Sequence, residues 1–237
     1  MGITDKLFTF VSDVIIRIAP FSSREKKAYQ FYRRGLAAQI DLKNAKALRY
    51  YEISLKLEEK PRDRTVTIYN MAVIYQKDKD LESALKFVDQ CLNLAPNAVK
   101  AHVLKSTILY DLIVRECPYP SNRDENSKDD FDFLDAGTDF LDENIDLERL
   151  LFINGLFIQA RRNMLIAIDR GVEREDKGFI EFALKFRKNI RRWYKYLQTR
   201  TDLPPEFDTD DFDRWDVEQT GDDKYDVWFL LHDFDYD

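Results

Sequence analysis

The chain has 237 residues and a formal net charge of −7, with only seven Gly and seven Pro. Such a low content of turn-forming residues argues against a β-rich, turn-rich fold, and the length is ample to bury a core. With two cysteines, two histidines and no Cys-x-x-Cys pair, the sequence excludes a disulfide framework and predicts neither a metal site nor a cofactor site.

The first predicted element is an amphipathic helix at residues 3–19, within an N-terminal segment of residues 1–23. Its apolar face consists of Leu7, Phe8, Val11, Val14, Ile15 and Ile18. Pro20 follows the helix, which is too short to span a bilayer. Two interpretations stand: the helix packs on the next element as a cap, or it lies in a membrane interface or binds an apolar partner.

Residues 24–60 and 65–96 each predict two helices joined by a short turn, and the two stretches repeat one pattern. Matched positions lie 37 residues apart. The pairs are Phe31 and Ile68, Gly35 and Ala72, Ala38 and Tyr75, Ala47 and Ala84, Tyr51 and Val88, and Ser54 and Cys91. The small residues predict close helix crossings, Tyr51 and Val88 are predicted to fill the space between hairpins, and Cys91 is predicted as a core side chain.

This pattern is typical of the tetratricopeptide (TPR) repeat, whose period is about 34 residues. The additional residues are predicted to fall in a connector from Glu58 to Arg64, with Pro61 at its centre. A third unit begins near Val99 with an apolar first helix, and its second helix is predicted only from Leu147 to Asp169. A further helix at Phe179–Gln198 is predicted to cap the array.

The last predicted helix carries aromatic and basic side chains in alternation. The residues predicted to face inward are Ile180, Ala183, Leu184, Ile190 and Tyr194. Its basic side chains with Trp193, Tyr194 and Tyr196 between them allow a nucleic-acid interpretation, but a solvated basic face is favoured, so we predict no nucleic-acid binding.

Two acidic segments interrupt and follow the predicted repeats. Residues 117–147 carry 10 acidic and 2 basic side chains, and residues 201–237 carry 14 and 2, while the remainder is basic. Acidic runs of this kind are typically solvated. The tail also holds eight aromatic residues, so a second hypothesis is that it docks on the basic body and limits access to its groove until a partner arrives.

The sequence therefore predicts an all-α fold of TPR-type helical hairpins, an α-solenoid of about three repeats with an N-terminal helix and a C-terminal capping helix. The predicted TPR domain spans residues 24–200 with the acidic insertion at 117–147, and the acidic aromatic tail spans 201–237. In such an array the first helix of each hairpin lines the concave groove. The predicted protein-binding residues there are Tyr29, Tyr32, Leu36, Gln39, Tyr69, Asn70, Gln76, Lys77 and Lys100.

Five stretches resemble one family of TPR proteins. They are DKLFTFVSDVIIRIAP, EKKAYQFYRRGLAAQ, AKALRYYEISLKLE, PRDR and IYNMAVIY. They are similar to the photosystem I assembly protein of plastids and cyanobacteria, the Ycf-three family, which shares the lengthened first connector. The resemblance covers residues 4–110 and reappears weakly at 159–186. The acidic insertion and the sequence from about residue 190 onward lie outside the family pattern.

The resemblance implies a peripheral protein on the stromal side of the chloroplast thylakoid membrane. It would bind newly made photosystem I subunits and other assembly factors as a scaffold or chaperone, with no small-molecule substrate. No nucleotide-binding, hydrolase or zinc-protease motif appears, so we predict that the chain is not an enzyme. The alternative is a general TPR adaptor or chaperone-tail receptor in a plastid or the cytoplasm, for which Asn70 and Lys100 stand at two clamp positions.

Overall fold

The computed structural model describes residues 22–116, 145–171 and 176–203, and within these ranges the regular structure is entirely helical. The seven helices of these ranges are α1 (Ser23–Ile40), α2 (Asn44–Leu57), α3 (Pro61–Lys77), α4 (Leu81–Leu94), α5 (Val99–Glu116), α6 (Leu147–Asp169) and α7 (Lys177–Thr199). The predicted all-α hairpin fold is thereby confirmed. The predicted N-terminal helix and almost all of the insertion and tail lie outside these residues.

Contacts divide the chain into two compact units, one up to Pro96 and one from Asn97. In the first unit, α1 packs on α2 and α3 packs on α4, so each predicted repeat is one helical hairpin. The turns within both hairpins have the same backbone form, because Leu42 has φ 58° and Lys79, at the equivalent position, has φ 62°. Identical turn geometry at matched positions confirms that the two hairpins are copies of one structural unit.

The core of the first unit follows the repeat interval. Gly35 is buried against Tyr51, and a Cβ atom at position 35 would lie 2.6 Å from the Tyr51 ring. Ala47, Ala72, Ala84 and Val88 are fully buried. Tyr51 is also fully buried in a cluster with two α3 side chains, so it fills the space between the hairpins as predicted.

The predicted connector between the hairpins is wrong in its extent. Helix α3 begins at Pro61, so only Glu58–Lys60 link the hairpins, and Arg64 belongs to the first turn of α3. The reason is that Pro at the first helical position loses no hydrogen bond and has a backbone angle already suited to the helix. A proline therefore marked the start of this helix, not the middle of a loop.

The ends of several helices are fixed by side-chain caps. Ser22 accepts from the backbone N–H of Glu25 at 3.1 Å, and Glu25 accepts from the N–H of Ser22 at 2.7 Å, a reciprocal capping box for α1. Asp80, Asp146 and Asp176 cap α4, α6 and α7 in the simpler one-way manner. Each cap satisfies an N–H that the helix itself leaves without a partner.

The second unit is a hairpin of α5 and α6 with α7 packed on it. Helix α6 begins at Leu147, as predicted for the delayed second helix of this repeat. The rings of Phe157 and Trp193 lie 5.6 Å apart, and the Trp193 N–H donates to Asn154 Oδ1 at 3.1 Å. His102 Nδ1 lies 2.9 Å from Asn163 Oδ1, and this polar pair joins α5 to α6.

Candidate protein-binding surface

The predicted binding residues of the first unit follow one face of α1 and one face of α3. We define the helix-A surface by the residues Tyr29, Tyr32, Leu36, Val66, Tyr69, Asn70 and Val73. Leu36 is 38% exposed and Val66 is 44% exposed, whereas the other members are half-buried. The steps of three and four residues place them on one side of each helix.

A hydrogen bond joins the two helices within this surface. The Asn70 Nδ2 amide donates to the Tyr32 hydroxyl at 3.1 Å. Burial raises the pKa of Tyr32, and the Asn70 amide partly opposes that rise. The contact was not foreseen from the sequence, which placed both residues in the groove but gave no sign that they bond to each other.

Aromatic rings support the surface from beside and below. The Tyr29 and Tyr32 rings lie 6.4 Å apart, and the Tyr32 and Tyr51 rings lie 5.8 Å apart. The Tyr51 hydroxyl donates to Gln39 Oε1 at 2.7 Å. Gln39, predicted as a partner-binding residue, therefore also anchors the buried ring that holds Tyr32 in place.

The remaining predicted binding residues are Tyr69, Gln76, Lys77 and Lys100. Tyr69 is half-buried, and burial raises the pKa of its hydroxyl. Gln76 is half-buried and Lys77 exposed at the end of α3. Lys100 is exposed on α5, in the second unit. The structure thus brings Tyr29, Tyr32 and Asn70 together, with Gln39 behind them.

A buried polar cluster lies between the two hairpins and was missed by the sequence analysis. Glu58 is 8% exposed, and its Oε1 accepts from Thr67 at 2.6 Å and contacts the Ser54 hydroxyl at 2.8 Å. Ser54 also donates to the Ala28 carbonyl at 2.7 Å. The cluster ties α1, α2 and α3 together, so it fixes the spacing of the helices that carry the helix-A surface.

Cys91 is confirmed as a core side chain. It is 1% exposed, its thiol donates to the Thr65 carbonyl at 3.7 Å, and burial raises its pKa to about 11. A thiol held protonated in this way is a poor nucleophile. Within the described ranges, no group of three or more His, Cys, Asp or Glu side chains is placed to hold a metal ion.

The first hairpin is the basic part of the first unit. Residues 22–57 hold nine Lys or Arg and three Asp or Glu, whereas residues 61–94 hold five of each. Arg33 lies 6.0 Å from the Tyr29 ring centroid, at the edge of the helix-A surface. Among the helices that the structure describes, none has both the length and the apolar composition to cross a membrane.

Two of the three aromatic side chains that the sequence singled out in the last helix are buried. Trp193 is 1% exposed and Tyr196 is 7% exposed, so neither ring can stack on a base. Ile180, Ala183 and Ile190 are buried as predicted, and Leu184 is half-buried. The side chain of Tyr194 lies outside the described part.

Fold and surface together define a TPR-type helical repeat protein with a candidate protein-binding face. Compared with known proteins, the chain is 42% identical over 106 residues to the photosystem I assembly protein Ycf3 of Acaryochloris marina. It is 41% identical over 122 residues to the Ycf3 protein of Prochlorococcus marinus strain NATL1A and 40% identical over 97 residues to that of Cyanophora paradoxa. The chain belongs to the Ycf3 family.

The similarity covers part of each protein. The three alignments span 45%, 51% and 41% of this chain, and 64%, 69% and 56% of the respective relatives. The chain therefore matches less than two thirds of the length of the Acaryochloris protein. A scan against models of known protein families finds no match. The family resemblance inferred from the quoted stretches is confirmed.

Proposed function

We propose that this chain is a non-enzymatic assembly chaperone for photosystem I, which holds newly made subunits through the helix-A surface. The relatives are named photosystem I assembly proteins, and this supports the proposal. The observation that carries it is the exposure of Leu36 and Val66 on a face held rigid by the Tyr32–Asn70 hydrogen bond. Apolar side chains on a preorganised face are suited to binding apolar segments of a partner.

We also propose peripheral association with the thylakoid membrane, on its stromal side, where newly made subunits and other assembly factors would be encountered. The charge of the first hairpin supports this placement, because nine basic side chains against three acidic ones are attracted to anionic lipid headgroups. The predicted binding residues Gln76 and Lys77 are retained in the proposal as rim contacts, whereas Lys100 belongs to the second unit and stays a separate prediction.

The alternative of a chaperone-tail receptor is not favoured. The relatives are named for photosystem I assembly. A carboxylate clamp needs donors that point at the ligand, and one of the two N–H donors of the Asn70 amide is already bonded to Tyr32. The first repeat presents Tyr32 and Leu36 at the positions where such a clamp needs Lys and Asn.

The test is affinity purification from solubilised thylakoids with three forms of the full chain. The wild type should recover photosystem I subunits. The variant Leu36→Ser/Val66→Ser removes two exposed apolar contacts and should reduce recovery about tenfold, since each 1.4 kcal/mol of lost binding changes the affinity tenfold.

The control is Leu94→Ser, which changes a side chain of similar exposure, 41%, at the end of α4 and outside the helix-A surface. It should recover subunits as well as the wild type does. Equal recovery by all three forms would place the binding site elsewhere, and the absence of any photosystem I subunit from the wild-type eluate would refute the function. Circular dichroism is used to check that the variants keep their helical content.

A further inference from the structure

The second hairpin shows how a repeat is covered by the one before it. The covered positions on α3 are Thr67, Ile68, Met71 and Ile74, none of which is more than 3% exposed. Tyr51 of α2 packs with Met71 and Ile74, and Leu48 and Leu55 of α2 pack against the same cluster. The second helix of one repeat thus buries the first helix of the next.

The equivalent positions of the first hairpin are open among the described residues. They lie 37 residues earlier, at Gln30, Phe31, Arg34 and Ala37. Gln30, Arg34 and Ala37 are exposed, and Phe31 is half-buried. With Tyr50 and Ile53 of α2 these four residues make up what we call the leading face.

The leading face has an aromatic centre and a basic rim. The Phe31 and Tyr50 rings lie 6.3 Å apart, and Ile53 is 38% exposed. The Arg34 guanidinium lies 5.5 Å from the Phe31 ring centroid, and Lys46 Nζ lies 5.9 Å from that of Tyr50. An apolar face of this kind at the start of a repeat array needs a covering element.

The repeat interval identifies that element. The three α2 side chains that cover the second hairpin are Leu48, Tyr51 and Leu55, and 37 residues before them stand Val11, Val14 and Ile18. All three belong to the apolar face predicted from the sequence. The interval of 37 residues also relates the whole of α2 (Asn44–Leu57) to residues 7–20.

The number of residues between Pro20 and α1 also matches the number between α2 and α3 closely. Helix α2 ends at Leu57 and α3 begins at Pro61. Pro20 stands 37 residues before Leu57, and α1 begins at Ser23. In the sequence, two residues lie between Pro20 and Ser23, compared with three between Leu57 and Pro61.

We propose that residues 7–20 form the second helix of an incomplete repeat and dock on the leading face, with Val11, Val14 and Ile18 against Phe31, Tyr50 and Ile53. The occupant of this face is the chain itself, and a bilayer or an apolar partner protein is the competing occupant. The proposal concerns a different surface from the helix-A surface, so it does not depend on the proposed function.

Hydrogen exchange on the full chain, free of membranes, tests this docking. Backbone amides of residues 7–20 should exchange at least about tenfold more slowly than in an unstructured peptide. Val14→Asp places a charge in the proposed interface. It should remove this protection and also accelerate exchange in α1. Ile53→Asp should remove the protection of residues 7–20 from the other side of the interface.

Two matched controls make the result specific. Ser12→Asp stands 37 residues before the exposed Arg49 and should leave exchange unchanged. Ile40→Asp changes a side chain that is 73% exposed and outside the leading face, and it should also have no effect on residues 7–20. Equal effects of the Asp variants and their controls would overturn the docking.

Lipid vesicles separate the competing occupants. If residues 7–20 are protected only after anionic vesicles are added, the segment binds bilayers and the proposal is wrong. Exchange of residues 7–20 at the unstructured rate both with and without vesicles would overturn it too. Protection without vesicles that both Val14→Asp and Ile53→Asp abolish is the outcome that establishes it.

Discussion

Substitution of Gly35 by Ala should destabilise the first unit, although Ala is the better helix former. A Cβ at this position would lie 2.6, 2.7 and 3.2 Å from three carbons of the Tyr51 ring. The ring has no room to move, because Tyr51 is fully buried and its hydroxyl is bonded to Gln39. Overpacking costs about 1–3 kcal/mol and the gain in helix propensity is about 1 kcal/mol, so we expect a net loss of up to about 2 kcal/mol.

The matched control is the same substitution at Gly155, in the interior of α6. A Cβ there would meet no atom within 4 Å, so Gly155→Ala should stabilise the second unit by about 0.5–1 kcal/mol. Denaturant unfolding followed by circular dichroism gives the free-energy changes, and hydrogen exchange assigns each change to a unit. Stabilisation by Gly35→Ala of the same size as at Gly155 would refute the steric argument.

A double variant tests the mechanism directly. The second repeat carries Ala72 and Val88 where the first carries Gly35 and Tyr51. Gly35→Ala combined with Tyr51→Val should therefore lose less stability than the sum of the single variants, with a coupling of about 1 kcal/mol. Strict additivity would mean that the two side chains do not compete for one space.

Three further predictions concern buried and half-buried groups of the first unit. Glu58→Ala should cost about 1–3 kcal/mol of unfolding free energy, because the buried Thr67 hydroxyl loses its acceptor. In a Cys117→Ser background, Cys91 should react with a thiol reagent near pH 8 only as fast as the first unit opens, since burial raises its pKa to about 11. Burial also raises the pKa of Tyr32, so its contribution to stability should be fully present below about pH 10 and decline as the pH rises further.

A control or a contradicting outcome can be stated for each of the predictions on Glu58, Cys91 and Tyr32. Glu59→Ala removes an exposed ion pair to Arg24, 3.2 Å long, and should change the unfolding free energy by less than about 1 kcal/mol. A rate of Cys91 labelling equal to that of a free thiol would contradict its burial. Denaturant titrations at pH 9 and pH 10.5 measure the alkaline loss, and a flat profile would show that no tyrosine is held neutral by the fold.

The repeat interval predicted the core of the first unit because helix crossings depend on residue size at fixed spacing. Gly35, Ala47 and Tyr51 could be assigned from their copies 37 residues later. Pro61 could not be assigned in the same way, since a proline fits a connector and the first turn of a helix equally well.

Contacts between polar side chains that are far apart in the chain could not be predicted from the sequence. Glu58 is an acidic residue in a predicted connector, where a solvated side chain is expected. Only in the folded chain does the Thr67 hydroxyl donate to its carboxylate. The repeat interval makes Tyr69 the equivalent of Tyr32. It does not show that the hydrogen-bond partner of Tyr32 is Asn70, the residue that follows Tyr69. In α7, which has no earlier copy to compare, the burial of Trp193 was not predicted.

The hydrogen bonds within and behind the helix-A surface also indicate what it can recognise. The Tyr32 hydroxyl accepts from Asn70, and the Tyr51 hydroxyl donates to Gln39. Both hydroxyls therefore take part in hydrogen bonds within the fold. A partner would then meet ring faces and the exposed side chain of Leu36, and recognition would depend on apolar shape. Tyr32→Phe, which keeps the ring, should lower stability while subunit recovery stays near the wild-type level. If Tyr32→Phe abolished recovery with the fold intact, the hydroxyl would be a direct contact and recognition by shape alone would be wrong.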